Sequence, residues 1–330
     1  MDWQYTDLDR EIFERELDSF LPRRIYDAHA HLYDVAHFGG LAPPLCSSGP
    51  ARGDLATYRA FMSQMMPGRS ASGLFFAMPN IHLDRDSANS FIRDEARKDA
   101  HSRAHLLVTP SDDVEWIRET CRTNGFVGLK VYHCYADQEP TFDAPIEAYL
   151  PEAQVRLAHE EGMTITLHMV RPSAIRDRSN QETLVRWGRM YPNARWILAH
   201  AARGFNAYHV VEGISCLAGL ENFWCDTSAV TEAGAIEAIG RVLGPDRLLF
   251  GTDFPVSHIA GRCVSLGDSF LWISAETAKL TAPYGEIRLA LVGTESLRAH
   301  KMACLNLRLN DSQVENVFFG NAARLLGLGV

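Results

Sequence analysis

The sequence predicts an α/β protein: a single (β/α)8 TIM barrel spanning residues 1–330, with its core at about 24–327. Three observations predict it. Short apolar runs recur eight times, most of them separated by helical patterns. The runs are continuous rather than alternating, as in strands covered on both faces. No G-x-G-x-x-G follows an early run, which weighs against a doubly wound open sheet. Eight strand–helix units in this length suit a barrel.

The elements follow in order. Residues 1–20 are acidic, and Phe13, Leu17, Phe20 and Leu21 recur at helical spacing. This reads as an N-terminal helix packed outside the fold, without the basic and apolar regions of a signal peptide. Residues 24–31 form the first strand. Residues 37–50, rich in Gly, Pro and Ser, form a loop long enough to serve as a lid. A helix at 55–66 stops at Pro67-Gly68. The second run is 73–78, and a helix at 87–100 leads to the third, 105–109. Ser111 or Asp112 caps the next helix, which Asn124-Gly125 stops. The fourth run is 126–132. Pro151 and Gly162 bound the helix before the fifth, 163–168. A helix at 182–190 precedes the sixth run, 195–200, and the seventh is 223–227. Ile236, Ile239 and Leu243 mark a helix ended by Gly244-Pro245, and the eighth run is 247–253. Residues 256–310 are a mixed elaboration and a candidate interface for a homo-oligomer. The last helix is 311–326.

Composition excludes several classes. Lys and Arg number 32 against 41 Asp and Glu, a net charge of −9. An acidic surface does not suit nucleic-acid binding, which needs clustered basic residues. The seven cysteines form no C-x-x-C, so neither a disulfide framework nor a thiolate zinc site is expected, and a reducing compartment is. No apolar run nears the roughly 18 residues of a spanning helix. The expectation is a soluble cytoplasmic protein acting on a small molecule.

The chemistry gathers at strand ends. In RIYDAHAH, alternation places Asp27, His29 and His31 on one strand face. Two imidazoles so spaced can reach one metal ion, or one can be a core residue and the other face solvent. Lys130, His168, His200 and Asp253 lie at or near the C-terminal ends of the fourth, fifth, sixth and eighth runs. In a β/α barrel all these ends meet at the active-site face. Singly each would be structural; together they point to a metal site.

Six stretches also carry a resemblance: Asp27-Ala-His29-Ala-His31, Gly128-Leu-Lys130, Thr166-Leu-His168, Leu198-Ala-His200, Asp226-Thr-Ser228 and Leu249-Phe-Gly-Thr-Asp253-Phe-Pro255. Over residues 24–327 the chain resembles the amidohydrolase superfamily. It is most similar to the amidohydrolase-related (amidohydrolase 2) group, which includes aminocarboxymuconate-semialdehyde decarboxylase. The resemblance implies a divalent metal on His29, His31, His168 and Asp253, with His200 beside the substrate. Zinc is expected first, with manganese or iron as alternatives. One ion is expected; a carboxylated Lys130 would bridge two, the second held by His168 and His200. A free ammonium beside a cation is repelled, so Lys130 must be modified, neutral or turned away.

The expected activity is metal-dependent hydrolysis of a small carbonyl compound, an amide, lactone or ester with room for an anionic group, through a metal-bound hydroxide. Asp253 would carry the proton, and His200 would stabilise the oxyanion or position the substrate. Arg171 and Arg203 are candidate carboxylate binders. Asp27 either orients a ligand imidazole or is a plain strand-end charge. His37, Tyr132, His133, Phe205 and Phe254 are candidate pocket residues. The alternatives are non-oxidative decarboxylation of an aromatic or enoic acid on the same metal, and an inactive, metal-free binding relative.

Overall fold

Eight parallel strands follow one another around the sheet in chain order in the computed structural model, which describes residues 3, 5–274, 281–282 and 285–329. They are β1 (Arg24–Asp34), β2 (Ser70–Ala77), β3 (Arg103–Leu107), β4 (Gly128–Tyr132), β5 (Thr164–His168), β6 (Arg195–Leu198), β7 (Phe223–Asp226) and β8 (Leu248–Leu249). A short antiparallel strand, Arg52–Gly53, pairs with the end of β1. β8 is shorter than the expected run because the chain changes partner. From Phe250 onward it bonds to β1: Ala28 N–H donates to Phe250 O (2.8 Å), Asp253 N–H to His29 O (2.7 Å) and His31 N–H to Phe254 O (2.7 Å). The two edges of the curled sheet therefore meet.

Side-chain parity separates two apolar layers. Tyr26, Ala28, Leu74, Phe76, Ile197 and Leu249 pack with one another and with Ala322–Leu326 of the last helix. A larger cluster joins the strands to the surrounding helices. Continuous apolar strands are what this arrangement requires, since both faces are buried.

Helix ends follow local chemistry, with small corrections. Asp113, rather than Ser111 or Asp112, caps Val114–Asn124 through the N–H groups of Glu115 and Trp116, and Gly125 ends that helix with φ 75°. Asp84 and Asp177 cap Arg85–Ala96 and Arg178–Met190, so both helices begin earlier than their apolar spacing implies. The N-terminal helix Asp7–Ile12 opens with a capping box on Thr6. The last helix is interrupted by a π turn at Asn316–Gly320. The 37–50 loop contains the short helix Pro44–Ser47 and buries Phe38 and Cys46, so it is packed into the core. After β8 come the hairpin β9 (Gly261–Leu266) and β10 (Ser269–Ser274) and the helix Val292–Asn306. Part of the expected 256–310 elaboration, at 275–280 and 283–284, lies outside the described residues. Among the described residues no helix is long and apolar enough to cross a membrane.

One expectation of parity fails. The β1–β2 register shifts between Asp27 and Ala30, so Asp27 does not share the face of His29 and His31. Its buried carboxylate turns outward and accepts hydrogen bonds from Tyr58 OH, the N–H and hydroxyl of Thr252, and the N–H of His29. Asp27 thus fastens β1 to the residues just before Asp253 and orients no imidazole. Asp27→Asn should lose at least one charge-assisted hydrogen bond, about 1.5–3 kcal/mol, read as a lower denaturation midpoint with unchanged slope. An unchanged midpoint would contradict this role.

Candidate active site

The strand ends do converge. His29 and His31 are buried with ring centroids 5.3 Å apart. Asp253 Oδ1 lies 3.3 Å from His29 Nε2 and 3.5 Å from His31 Nε2. Glycine at 251 allows a close approach here: a methyl at that position would lie 3.0 Å from Ser228 Cβ and 3.1 Å from His29 Cβ, a tight fit. Asp253 itself adopts φ 58°, a conformation that a short polar side chain tolerates.

Each imidazole has one nitrogen committed. His29 Nδ1–H donates to Asp226 Oδ2 (2.8 Å) and His31 Nδ1–H to Ala77 O (3.0 Å). Both Nε2 lone pairs therefore face Asp253. Burial lowers His29 and His31 well below the ordinary imidazole range, the Lys130 ammonium adding to the effect. Neutral imidazole is the ligating form. Burial likewise pushes Asp253 up, against the pull of Lys130.

His200 arrives by an unusual route. The sixth run was expected to continue through it, but β6 ends at Leu198. His200, Ala201, Ala202 and Arg203 then form a left-handed helical turn, with φ between 53° and 60°, closed by Gly204 N–H to His200 O (2.6 Å). Such backbone costs roughly 1–2 kcal/mol per non-glycine residue. It brings the His200 ring to 4.7 Å from that of His29, centroid to centroid. The turn is anchored by Asp226, which accepts from His200 N–H (3.0 Å), and by Ser228, whose carbonyl accepts from His200 Nδ1–H (3.0 Å). Donor atoms of His29, His200 and Asp253 all lie within 4.8 Å of one another. His168 stands one step behind, its Nδ1 3.1 Å from His200 Nε2. The imidazole advanced into the cluster is thus His200, because the left-handed turn carries it inward.

Lys130 points into this cluster. Its Nζ is 3.3 Å from His29 Nε2 and 4.3 Å from the centroid of Phe76. Burial brings its ammonium down to about 8, with Asp226 and Asp253 holding it up. Gly128 lets β4 approach its neighbours, since a Cβ there would lie 2.1 Å from Thr164 O.

A cavity of about 610 Å3 opens above the cluster, with His31, His168, His200 and Asp253 on its polar floor. Tyr132, Phe205 and Arg203 line it as expected. Other candidates sit elsewhere. Arg171 pairs with Asp177 (3.2 Å), and its carbonyl accepts from Arg203 Nη1 (2.9 Å). His133 bonds Thr141, His37 packs on Phe91, and Phe254 lies beneath Tyr58 and Phe61. The sequence reading assigned no role to Asp226. Its signs in the sequence were a carboxylate at the end of the seventh strand and the Asp226-Thr-Ser228 stretch that carries part of the resemblance.

The donor set suits a divalent ion: two neutral imidazoles with lone pairs held inward, a carboxylate between them and a third imidazole alongside. Residues 26–328 match the family model described as amidohydrolase. The chain belongs to the amidohydrolase family. It is similar to an L-fucono-1,5-lactonase of Burkholderia ambifaria, 26% identical over 270 residues, covering 75% of this chain and 85% of that one. Its fold is similar to an amidohydrolase from Burkholderia multivorans with bound zinc (14% identity, TM-score 0.57, 92% of this chain and 99% of that one). It is also similar to a dihydroxybenzoic acid decarboxylase from a Polaromonas species with bound manganese and 2-nitroresorcinol (14% identity, TM-score 0.56, 94% and 98%).

Asp226→Asn removes the carboxylate that fixes the His29 tautomer. The expected result is a 10–100-fold loss of zinc affinity in a calorimetric titration. Wild-type affinity would show that Asp226 does not orient the ligand.

Proposed function

We propose that this chain is a metal-dependent hydrolase of a small carbonyl compound, with a lactone as the first substrate class to test. The observation that carries the reading is the convergence of His29, His200 and Asp253, with His31 alongside, in a cluster of which His31, His200 and Asp253 line one cavity. The 26% identical relative named as a lactonase supports the choice of substrate class.

His29, His31 and Asp253 would hold one divalent ion, zinc first and manganese or iron otherwise, with His200 and His168 the next imidazoles in reach. A bound ion of this kind polarises a carbonyl and lowers the pKa of its water to about 7. The remaining steps belong to the chain. Asp253 accepts the proton of the attacking water and returns it to the leaving oxygen. Asp226 holds His29 in the tautomer that leaves Nε2 free. His200, fixed by Asp226 and Ser228, positions the substrate carbonyl. Arg203 takes an anionic group of the substrate. Lys130 must be neutral or carboxylated to share the space with a cation; in the carboxylated form His168 and His200 would take a second ion.

A second reading has an observation behind it. The cavity sets Arg203 and the rings of Tyr132 and Phe205 around Asp253, which also suits non-oxidative decarboxylation of an aromatic acid. The zinc- or manganese-loaded protein should open lactones, lose that activity to chelator, and release no bicarbonate from hydroxybenzoates. Bicarbonate release without lactone opening would establish the second reading. Asp253→Asn should lower kcat by about 10²–10⁴-fold with the fold retained by circular dichroism. Absence of stoichiometric metal, and of activity on adding it, would leave a binding protein.

A further inference from the structure

One wall of the cavity comes from outside the barrel. β9 and β10 pair antiparallel, with Cys263 opposite Trp272. From β10, Phe270 and Trp272 meet Phe205 at ring-centroid distances of 5.2 and 5.4 Å. Phe205 in turn stacks on His200 at 5.1 Å with 28° between the planes. A continuous aromatic surface thus runs from the hairpin to an imidazole of the candidate metal cluster.

Among the described lining residues, the cation of the cavity lies on this surface. The Arg203 guanidinium is 5.3 Å from the Phe270 centroid and 6.0 Å from that of Phe142. It donates to the Arg171 carbonyl (2.9 Å), and among the described residues no carboxylate pairs with it. Guanidinium placed between aromatic faces retains donors for a planar anion. Among the described residues, the wall away from the floor and Arg203 is mostly apolar, including Val256, Ile259, Ile273 and Val292.

Resting on the hydrolase reading, we propose that the hairpin is the specificity element and selects a planar, largely apolar carbonyl compound that bears a carboxylate. The planar body lies on Phe205, Phe270 and Trp272, the carboxylate meets Arg203, and the reacting carbonyl faces Asp253. A polyhydroxylated lactone is disfavoured, because its hydroxyls leave water for a wall whose described residues carry few hydrogen-bonding groups. The chemistry balances as simple hydrolysis. Water adds across the acyl carbon–oxygen bond, that bond breaks, and a carboxylate, a hydroxyl and one proton result.

The test compares kcat/KM of zinc-loaded protein on three lactones: 3,4-dihydrocoumarin-6-carboxylate, uncharged 3,4-dihydrocoumarin and glucono-1,5-lactone. The carboxylated aromatic lactone should exceed each of the others by tenfold or more, about 1.4 kcal/mol. Trp272→Ala should shrink its advantage over the sugar lactone, chiefly through KM, and Trp272→Phe should keep it. Arg203→Met should erase the advantage over uncharged dihydrocoumarin. Preference for glucono-1,5-lactone, or ratios untouched in both Trp272→Ala and Arg203→Met, would overturn the proposal. Benzoate binding, followed by tryptophan fluorescence, separates the two levels of failure. If no lactone is opened, the hydrolase reading fails. Benzoate binding that weakens in Arg203→Met and loses its fluorescence change in Trp272→Phe would then still support the aromatic-carboxylate site, and no benzoate binding would overturn it.

Discussion

The buried carboxylate of Asp226 holds both arms of the site. One oxygen accepts the Nδ1–H of His29, and the other accepts the backbone N–H of His200 together with the N–H and hydroxyl of Ser228. Burying a carboxylate is costly unless its lone pairs are filled, and here they are filled by the groups the chemistry needs in place. Burial pushes Asp226 up, while His200 and the donated hydrogen bonds work the other way. The consequence is geometric: β1 and the turn after β6 cannot move independently, since each is bonded to the end of β7.

Two further features depend on that anchor. The left-handed turn from His200 to Arg203 is strained backbone built from histidine, alanine and arginine, where glycine would be the unstrained choice. Its alanines are buried and its first N–H is held by Asp226, so the surroundings over-determine it. In return, one turn places an imidazole in the donor cluster and a guanidinium in the cavity. On the other side, Asp27 ties β1 to Thr252, one residue before Asp253. Two buried carboxylates in the barrel wall thus keep the donor atoms of three different segments together.

Much of this was legible in the sequence, and for a physical reason. Strands buried on both faces must be continuously apolar, so the eight runs marked the sheet. Chemistry-bearing side chains gathered at or near the C-terminal ends of those runs, so His29, His31, Lys130, His168, His200 and Asp253 identified one face of the barrel. What escaped depends on long-range or anomalous geometry. The role of Asp226 rests on partners as far as 197 positions away. The register shift in β1 reversed the parity expected of Asp27. A left-handed turn carrying Ala-Ala has no signature in residue preference. Arg171, a candidate carboxylate binder alongside Arg203, went instead to the helix cap Asp177. The aromatic wall needed the pairing of β9 with β10, which lies beyond the eight units.

The central claim is that Asp226 presents His29 Nε2, beside Asp253, to a divalent ion. An anomalous difference map at the zinc edge, from crystals of the zinc-loaded protein, tests it directly. The expected peak lies about 2.0–2.2 Å from His29 Nε2 and from an oxygen of Asp253, with His29 Nδ1 still hydrogen-bonded to Asp226. A zinc-loaded crystal with no peak between these two residues, or with His29 turned away from Asp226, would contradict the account.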